Sequence, residues 1–307
     1  MRALRLVVVG TGTGVGKTHV ACALVASWAA ITRVVGLKPI ETGIVVAPGR
    51  PSGVSDQERL TAAARPFHVK RSGEPGARGP RLVPRLEAVE NRGLGRGTER
   101  PALVGDRNPG RSRRPFHVKQ SSHAGPLQGG ARTGSRSTQL LPQASLYSFP
   151  EPVSPHLAAR DAGVRIDLGL IERWVAEHEA AVTIVETAGG LFSPLGHTST
   201  NFELAGALRP DGVLLVAPDR LGVLHDLTTT LALAAARGGL PIGVVLSAPA
   251  APDASTGRNS HEIEALGLGA AIATFPRRPT GHPATVAAAR TVMAWAELLL
   301  SGDAPTG

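Results

Sequence analysis

An aliphatic stretch at 4–10 runs directly into the glycine-rich stretch Gly10–Thr18, and an alanine-rich stretch follows at once. This order predicts a strand, a tight loop and a helix. Glycines let such a loop wrap closely, so that backbone N–H groups and the helix N-terminus point at phosphate oxygens. The complete Gly-x-x-x-x-Gly-Lys-Thr pattern disfavours a glycine turn that serves packing alone. It predicts a nucleotide-binding α/β domain with a phosphate-binding loop.

Lys17 and Thr18 are the residues of this loop with the clearest chemical roles. The Lys17 ammonium is expected to reach the β- and γ-phosphates, and the Thr18 hydroxyl to coordinate Mg²⁺. Partitioning and division-site ATPases of this class carry a second lysine early in the loop, where this chain has Gly12. The loop therefore favours a metabolic ligase. The nucleotide contacts expected from this stretch are Gly14, Val15, Gly16, Lys17, Thr18 and His19.

Strand-like and helix-like stretches alternate along most of the chain, which is typical of a parallel sheet covered on both faces. We predict an α/β fold with a doubly wound, mostly parallel sheet. Strands are expected at 4–10, 33–38, 182–186, 211–217, 241–247 and 270–275. Helices are expected at 16–30, 167–180, 225–237 and 284–301.

A basic segment at about 65–136 interrupts this alternation. It contains 16 Lys and Arg against 5 Asp and Glu, a net charge of +11, whereas the whole chain carries +9. The segment is rich in Gly, Arg, Pro and Ser and lacks helical or strand periodicity, so we predict a low-complexity, disordered insertion. We therefore interpret 1–307 as a single domain with this insertion.

The remaining composition narrows the class of protein. No run of about 18 apolar residues is present, so no membrane-spanning helix is predicted. The single cysteine, Cys22, cannot form an internal disulfide and suits a reducing compartment. We interpret the chain as a cytoplasmic globular protein in which Cys22 is a packing residue.

Several further motifs follow the loop in a fixed order. The second predicted strand ends in Gly36–Gly43, with the sequence Gly-Leu-Lys-Pro-Ile-Glu-Thr-Gly. Together with the loop, this stretch resembles the dethiobiotin synthetase family. Three later stretches are similar to that family's motifs, and the resemblance covers about 1–64 and 137–307. They are Ser55-Asp56, the proline-rich 150–156, and 185–195, which begins Val-Glu-Thr-Ala-Gly-Gly.

The resemblance implies an ATP- and Mg²⁺-dependent ligase of biotin biosynthesis. Such enzymes carboxylate 7,8-diaminononanoate with CO₂ and close the ureido ring through a carbamic–phosphoric anhydride. Lys17 and Lys38 would be catalytic, and Thr42 would bind the diamine. The implied metal ligands are Thr18, Asp56 and Glu186. The last two, with Thr187, Ala188 and Gly189, would also contact the nucleotide.

Two of these residues have a physical argument of their own. Lys38 ends a predicted strand, and in an open α/β sheet the carboxyl ends of strands face the ligand crevice. A lysine at a strand end is more commonly just solvated, and it is the resemblance that favours function. Glu186 ends an apolar strand, where a buried carboxylate needs a cation or hydrogen bonds.

The resemblance also implies a homodimer. The stretch 220–224 is similar to a family segment whose backbone N–H groups hold the substrate carboxylate across a subunit interface, so Gly222 and Val223 become substrate-binding candidates. From the residues alone, an ordinary loop before a helix fits equally well. The chain departs from the family at Ser247-Ala248, where Asn-Asp is frequent near adenine, which leaves its base selectivity open.

Two other functions compete with this interpretation. An amidotransferase-linked ligase would need a glutaminase domain with a cysteine nucleophile, for which the chain has no room. A partitioning-type ATPase that binds nucleic acid through the insertion would use its positive charge. The insertion contains just two aromatic residues, Phe67 and Phe116, so it lacks stacking platforms, and nucleic acid is a disfavoured partner.

Overall fold

The computed structural model of the protein describes residues 2–44, 54–65 and 144–301. Apart from Arg65, the predicted insertion at about 65–136 lies outside the described residues, so that prediction and the division of the chain based on it remain untested. The strands are β1 Leu4–Gly10, β2 Val34–Leu37, β3 Ile40–Thr42, β4 Tyr147–Phe149, β5 Val182–Gly190, β6 Gly212–Pro218, β7 Ile242–Ser247 and β8 Ala271–Phe275. The helices are α1 Lys17–Ala29, α2 Asp56–Ala63, α3 Pro155–Asp161, α4 Leu168–Glu177, α5 Asn201–Ala207, α6 Val223–Ala236, α7 Asn259–Ala265 and α8 Pro283–Ser301.

Six strands form one parallel sheet in the order β2-β5-β1-β6-β7-β8. The central strands are continuous aliphatic runs because both of their faces are covered. In β1, Leu6 and Val8 belong to one hydrophobic core together with α1 and α8, while the alternate residues Val7 and Val9 are equally buried. Since side chains alternate across a strand, Val7 and Val9 lie on the opposite face. The doubly wound parallel sheet is therefore confirmed.

The core on the first face is built around α1. Val20, Leu24 and Trp28 repeat at helical spacing and are buried in this core, together with Cys22. α1 packs against both α2 and α8. Burial raises the pKa of the Cys22 thiol to about 12, which agrees with the prediction that Cys22 is a packing residue.

A second, two-stranded parallel sheet is absent from the sequence prediction. It pairs β3 with β4, and Ile40, Glu41 and Thr42 lie opposite Tyr147, Ser148 and Phe149. Strands of this length are too short to show a periodic pattern, which is why they escape prediction. The short helices α2, α3, α5 and α7 escaped for the same reason. This small sheet joins chain segments on either side of 66–143.

The long elements agree closely with the sequence prediction. The six predicted strands all occur, and β5 extends four residues further than expected, to Gly190. In the described parts of the chain, 2–44, 54–65 and 144–301, every helix is too short or too polar to cross a membrane.

Candidate active site

The phosphate-binding loop joins β1 to α1. Gly14 and Gly16 have φ angles of 73° and 99°, a region that residues with a side chain rarely adopt. Gly16 is the residue before α1 and carries no side-chain cap, so the first N–H groups of the helix remain available for an anion. The Lys17 ammonium donates to the Gly12 carbonyl at 2.9 Å. The strand, loop and helix predicted here are thus confirmed.

Lys38 lies at the centre of a cluster of charged groups. It follows the end of β2, and its ammonium donates to Glu186 Oε1 at 2.8 Å and to Asp56 Oδ2. Glu186 comes from the neighbouring strand β5 and is 1% exposed, while Asp56 is the first residue of α2. The Thr18 hydroxyl donates to the same Glu186 oxygen at 2.7 Å. The fold therefore brings four predicted site residues together.

The cluster shifts the pKa values of its members. Burial alone opposes the charge of Lys38, but the carboxylates of Glu186 and Asp56 outweigh it and raise the Lys38 pKa. Burial also opposes the charge of Glu186 and therefore raises the pKa of this carboxyl group. At Asp56, burial acts in the same direction, but the Lys38 ammonium outweighs it and lowers the Asp56 pKa. Among the described residues Lys17 has no direct carboxylate contact, and burial lowers its pKa to about 8. Lys38 is consequently held in its charged form at neutral pH.

A cavity of about 520 Å³ opens over this cluster and the loop. Its walls come from the loop, the ends of β2, β3 and β5, and the proline-rich stretch 152–155. The predicted site residues that line it are Gly14, Gly16, Lys17, Thr18, His19, Lys38, Thr42, Asp56, Glu186, Ala188 and Gly189.

Four predicted site residues do not line this cavity. Val15 lines a smaller cavity of about 300 Å³, together with Ser247 and Ala248. Thr187 is buried, and its hydroxyl donates to the Val8 carbonyl at 3.4 Å. Gly222 is the left-handed N-cap of α6, and Val223 is buried behind it. Within one chain, these last two residues are therefore not joined to the Lys38 cluster.

Glu41 and Gln57 are two buried polar residues that support the cluster, and no sequence pattern pointed to a role for either of them. The Gln57 amide accepts the Lys38 N–H at 2.6 Å and donates to the Gly36 carbonyl at 3.0 Å. Glu41 lies within the Gly36–Gly43 motif. A single polar residue between Ile40 and Thr42 does not indicate which residues it will contact. Ser193, whose hydroxyl accepts the Gly190 N–H at 2.8 Å, was also missed.

The oxygen atoms of this site fit a hard divalent cation. No group of three or more His, Cys, Asp or Glu that could hold a metal occurs within the described ranges. The donor set here is instead two carboxylates and the Thr18 hydroxyl, and Mg²⁺ is ordinarily completed by phosphate oxygens and water. Glu186 Oε2 is buried and has no hydrogen-bond partner among the described residues. An unpartnered buried carboxylate oxygen is unfavourable unless a cation or donor reaches it.

Fold and site together define a phosphate-binding-loop α/β protein whose charged groups meet at the carboxyl ends of parallel strands. The ATP-dependent dethiobiotin synthetase of Anaeromyxobacter dehalogenans strain 2CP-1 is 31% identical over 89% of this chain and 90% of its own length. The chain belongs to the dethiobiotin synthetase family of ATP-dependent ligases.

Other comparisons agree with this family or add little to it. The enzyme of the same name from Nitrosospira multiformis is 30% identical over 75% of this chain and 70% of its own length. Residues 132–285 match a family described as an AAA domain. Among solved structures, the septum site-determining protein MinD of Pyrococcus horikoshii, complexed with Mg-ADP, covers 99% of this chain and 100% of its own, with 10% identity and a TM-score of 0.44. Because both the sequence identity and the TM-score are low, we infer nothing about this chain from that protein.

Proposed function

We propose that this chain forms dethiobiotin from 7,8-diaminononanoate, CO₂ and ATP, with Mg²⁺ as cofactor. The observation that carries the proposal is the Lys38 ammonium, 2.8 Å from Glu186 Oε1, in the same cavity as the phosphate-binding loop. Family membership supplies the reaction, and this cluster supplies groups suited to its phosphoryl transfer.

The proposed reaction has three steps. One substrate amine adds to CO₂ and loses a proton, which gives a carbamate. A carbamate oxygen then attacks the γ-phosphorus of ATP, releasing ADP and forming a carbamic–phosphoric anhydride. Finally, the second amine attacks the carbonyl carbon, which closes the ureido ring and expels phosphate. No protein nucleophile is needed.

The two lysines have different tasks in this proposal. Lys17 and the loop N–H groups hold the β- and γ-phosphates, since the loop surrounds the place where they would bind. Lys38 stabilises the negative charge shared by the carbamate and the transferring phosphoryl group. Because positioning and electrostatic stabilisation carry most of the catalysis in phosphoryl transfer, a charged, buried lysine is worth more here than one in water.

When bound with the nucleotide, Mg²⁺ supplies neutralisation of phosphate charge. Thr18, Asp56 and Glu186 are the residues that would hold it, and the unpartnered Glu186 Oε2 favours this assignment. In the nucleotide-free chain the Lys38 ammonium contacts both carboxylates. It thereby keeps Glu186 from being a buried charge without a partner.

The proposal for substrate binding extends to a second subunit. Thr42 lines the cavity beside Lys38 and would hydrogen-bond the diamine end. Gly222 precedes α6 without a side-chain cap. The Val223 N–H donates to the Arg220 carbonyl at 3.2 Å, and the N–H groups that follow it in the first turn of the helix are suited to a carboxylate. Since they do not join the Lys38 cluster within one chain, we propose a homodimer in which they bind the substrate of the partner subunit.

We also propose that the enzyme is located in the cytoplasm.

The decisive experiment measures dethiobiotin formed from diaminononanoate, bicarbonate and Mg-ATP. We expect stoichiometric ADP and phosphate in the wild type. Lys38→Ala should lower turnover by orders of magnitude while nucleotide still binds, because Lys17 and the loop remain. A folded wild-type protein that binds nucleotide but makes no dethiobiotin would overturn the proposal, and near-normal turnover in Lys38→Ala would remove Lys38 from the mechanism.

A further inference from the structure

Glu41 is a buried carboxylate in β3 whose two oxygens contact two distant parts of the chain. Oε1 accepts the backbone N–H of Asp56 at 2.6 Å, and Oε2 accepts the Ser145 hydroxyl at 3.0 Å. The residue is 6% exposed and borders the main cavity next to Thr42. Its bonds therefore reach the beginning of α2 and the stretch that leads into β4.

The contact with Asp56 completes the N-terminus of α2. Ser55 and Glu58 form a capping box that uses the N–H groups of both residues. The N–H of Asp56, the first residue of the helix, has no partner within the helix and is taken by Glu41. A carboxylate at this point also interacts favourably with the helix dipole.

Packing and hydrogen bonds together fix the position of α2. The helix has eight residues, packs against α1 and β2, and buries Leu60 in the hydrophobic core. Gln57 binds the helix to the end of β2 through the Lys38 N–H and the Gly36 carbonyl. The contact of Glu41 lies one residue earlier, on Asp56 itself. It therefore bears directly on the direction in which the Asp56 carboxylate leaves the helix.

We propose that Glu41 is a positioning residue, which fixes the Asp56 backbone so that the Asp56 carboxylate faces Lys38 and the metal-binding side of the cavity. The inference rests on the proposed function, in which Asp56 is a metal ligand. Both of its oxygens accept hydrogen bonds from the protein, and the role that we assign to Glu41 is the one that these bonds perform. Partners of metal ligands typically change metal affinity by about 10- to 100-fold when they are removed.

The test compares two variants of equal size in the full chain. Glu41→Gln keeps both contacts, because its oxygen accepts from Asp56 N–H and its NH₂ group donates to the Ser145 hydroxyl. Glu41→Met keeps the volume and loses both. Ser145→Ala is the matched control, which removes the second partner of Glu41 and leaves the Asp56 contact. The measurements are Mg²⁺ affinity in the presence of ADP, and ADP affinity without metal.

We expect Glu41→Met to weaken Mg²⁺ binding by about 10- to 100-fold, while Glu41→Gln and Ser145→Ala stay near the wild type. ADP affinity without metal should be unchanged in all three. An equal loss in Glu41→Gln would overturn the proposal, because that variant retains the hydrogen bonds. A parallel loss of metal-free ADP affinity would also overturn it, since that result means general distortion of the site.

Asp56→Asn separates the two proposals. If it weakens Mg²⁺ binding and Glu41→Met does not, the positioning role is wrong and the metal assignment stands. If Asp56→Asn has no effect, the metal assignment fails and the role of Glu41 fails with it. Should Glu41→Met not fold, hydrogen exchange in the wild type decides: the Asp56 amide should exchange slowly, and exchange as fast as an exposed amide would overturn the proposal.

Discussion

Replacing Lys38 by methionine removes a buried ammonium while keeping most of the side-chain volume. In the nucleotide-free protein this leaves Glu186, 1% exposed, without the cation that lies 2.8 Å away. Removing one partner of a buried ion pair costs about 3–5 kcal/mol. The lower end applies here, because the Asp56 side chain is 28% exposed and Glu186 can take up a proton.

A loss of about 3 kcal/mol corresponds to a fall in melting temperature of about 6–12 °C for a domain of this size. The assay is thermal unfolding of both proteins in EDTA. Mg-ADP should then stabilise Lys38→Met more than the wild type, since a cation replaces the missing ammonium. Arg209→Met is the matched control. It removes a pair of similar length, 2.7 Å to Glu172, between side chains that are 80% and 37% exposed.

An exposed pair of this kind contributes at most about 1 kcal/mol. If Lys38→Met lowers the melting temperature no more than Arg209→Met, the buried cluster does not stabilise the protein as argued. The difference in melting temperature between the wild type and Lys38→Met should also become smaller in acid. The Asp56 pKa is lowered by Lys38, so the stability from this pair is present above the ordinary value of 3.8 and is lost as pH falls through the folded value.

Four further predictions concern the metal, the loop, the dimer and the insertion. Glu186→Gln should weaken Mg²⁺-dependent ATP use, measured by Mg²⁺ titration of ADP release, and an unchanged Mg²⁺ dependence would count against the ligand. Because burial lowers the Lys17 pKa to about 8, ADP affinity measured by calorimetry should fall as pH rises above that value. Lys17→Arg should show no such fall, since arginine stays charged. Mixing inactive Lys38→Ala and Gly222→Val chains should restore some turnover through heterodimers, and failure to do so with subunit exchange demonstrated would refute a shared site. Deleting about 65–136 should leave the melting temperature and dethiobiotin turnover intact, because loop-closure entropy grows slowly with length, and an unfolded or inactive deletion variant would show that these residues belong to the domain.

Local patterns were enough to predict the framework. The spaced glycines, followed by a lysine and a threonine, predicted a phosphate-binding loop. The conformation of such a loop depends on neighbours in sequence, and the structure has the loop where it was expected. The long strands and helices were predicted within a few residues, except at the end of β5, because aliphatic runs and helical periodicity extend over whole elements. The family motifs added Lys38, Asp56 and Glu186 as candidates.

The arrangement of these candidates could not be read from the sequence. Lys38 and Glu186 are separated by 148 positions, and they meet because β2 pairs with β5 at the edge of the sheet. That strand order follows from packing on both faces, which no local pattern encodes. The role of Glu41 could not be predicted for the same reason, since its partners Asp56 and Ser145 are 15 and 104 positions away in the sequence. The sequence by itself determined which chemical groups are available, and only the tertiary structure decided which of them share one cavity, because burial and charge depend on neighbours in space.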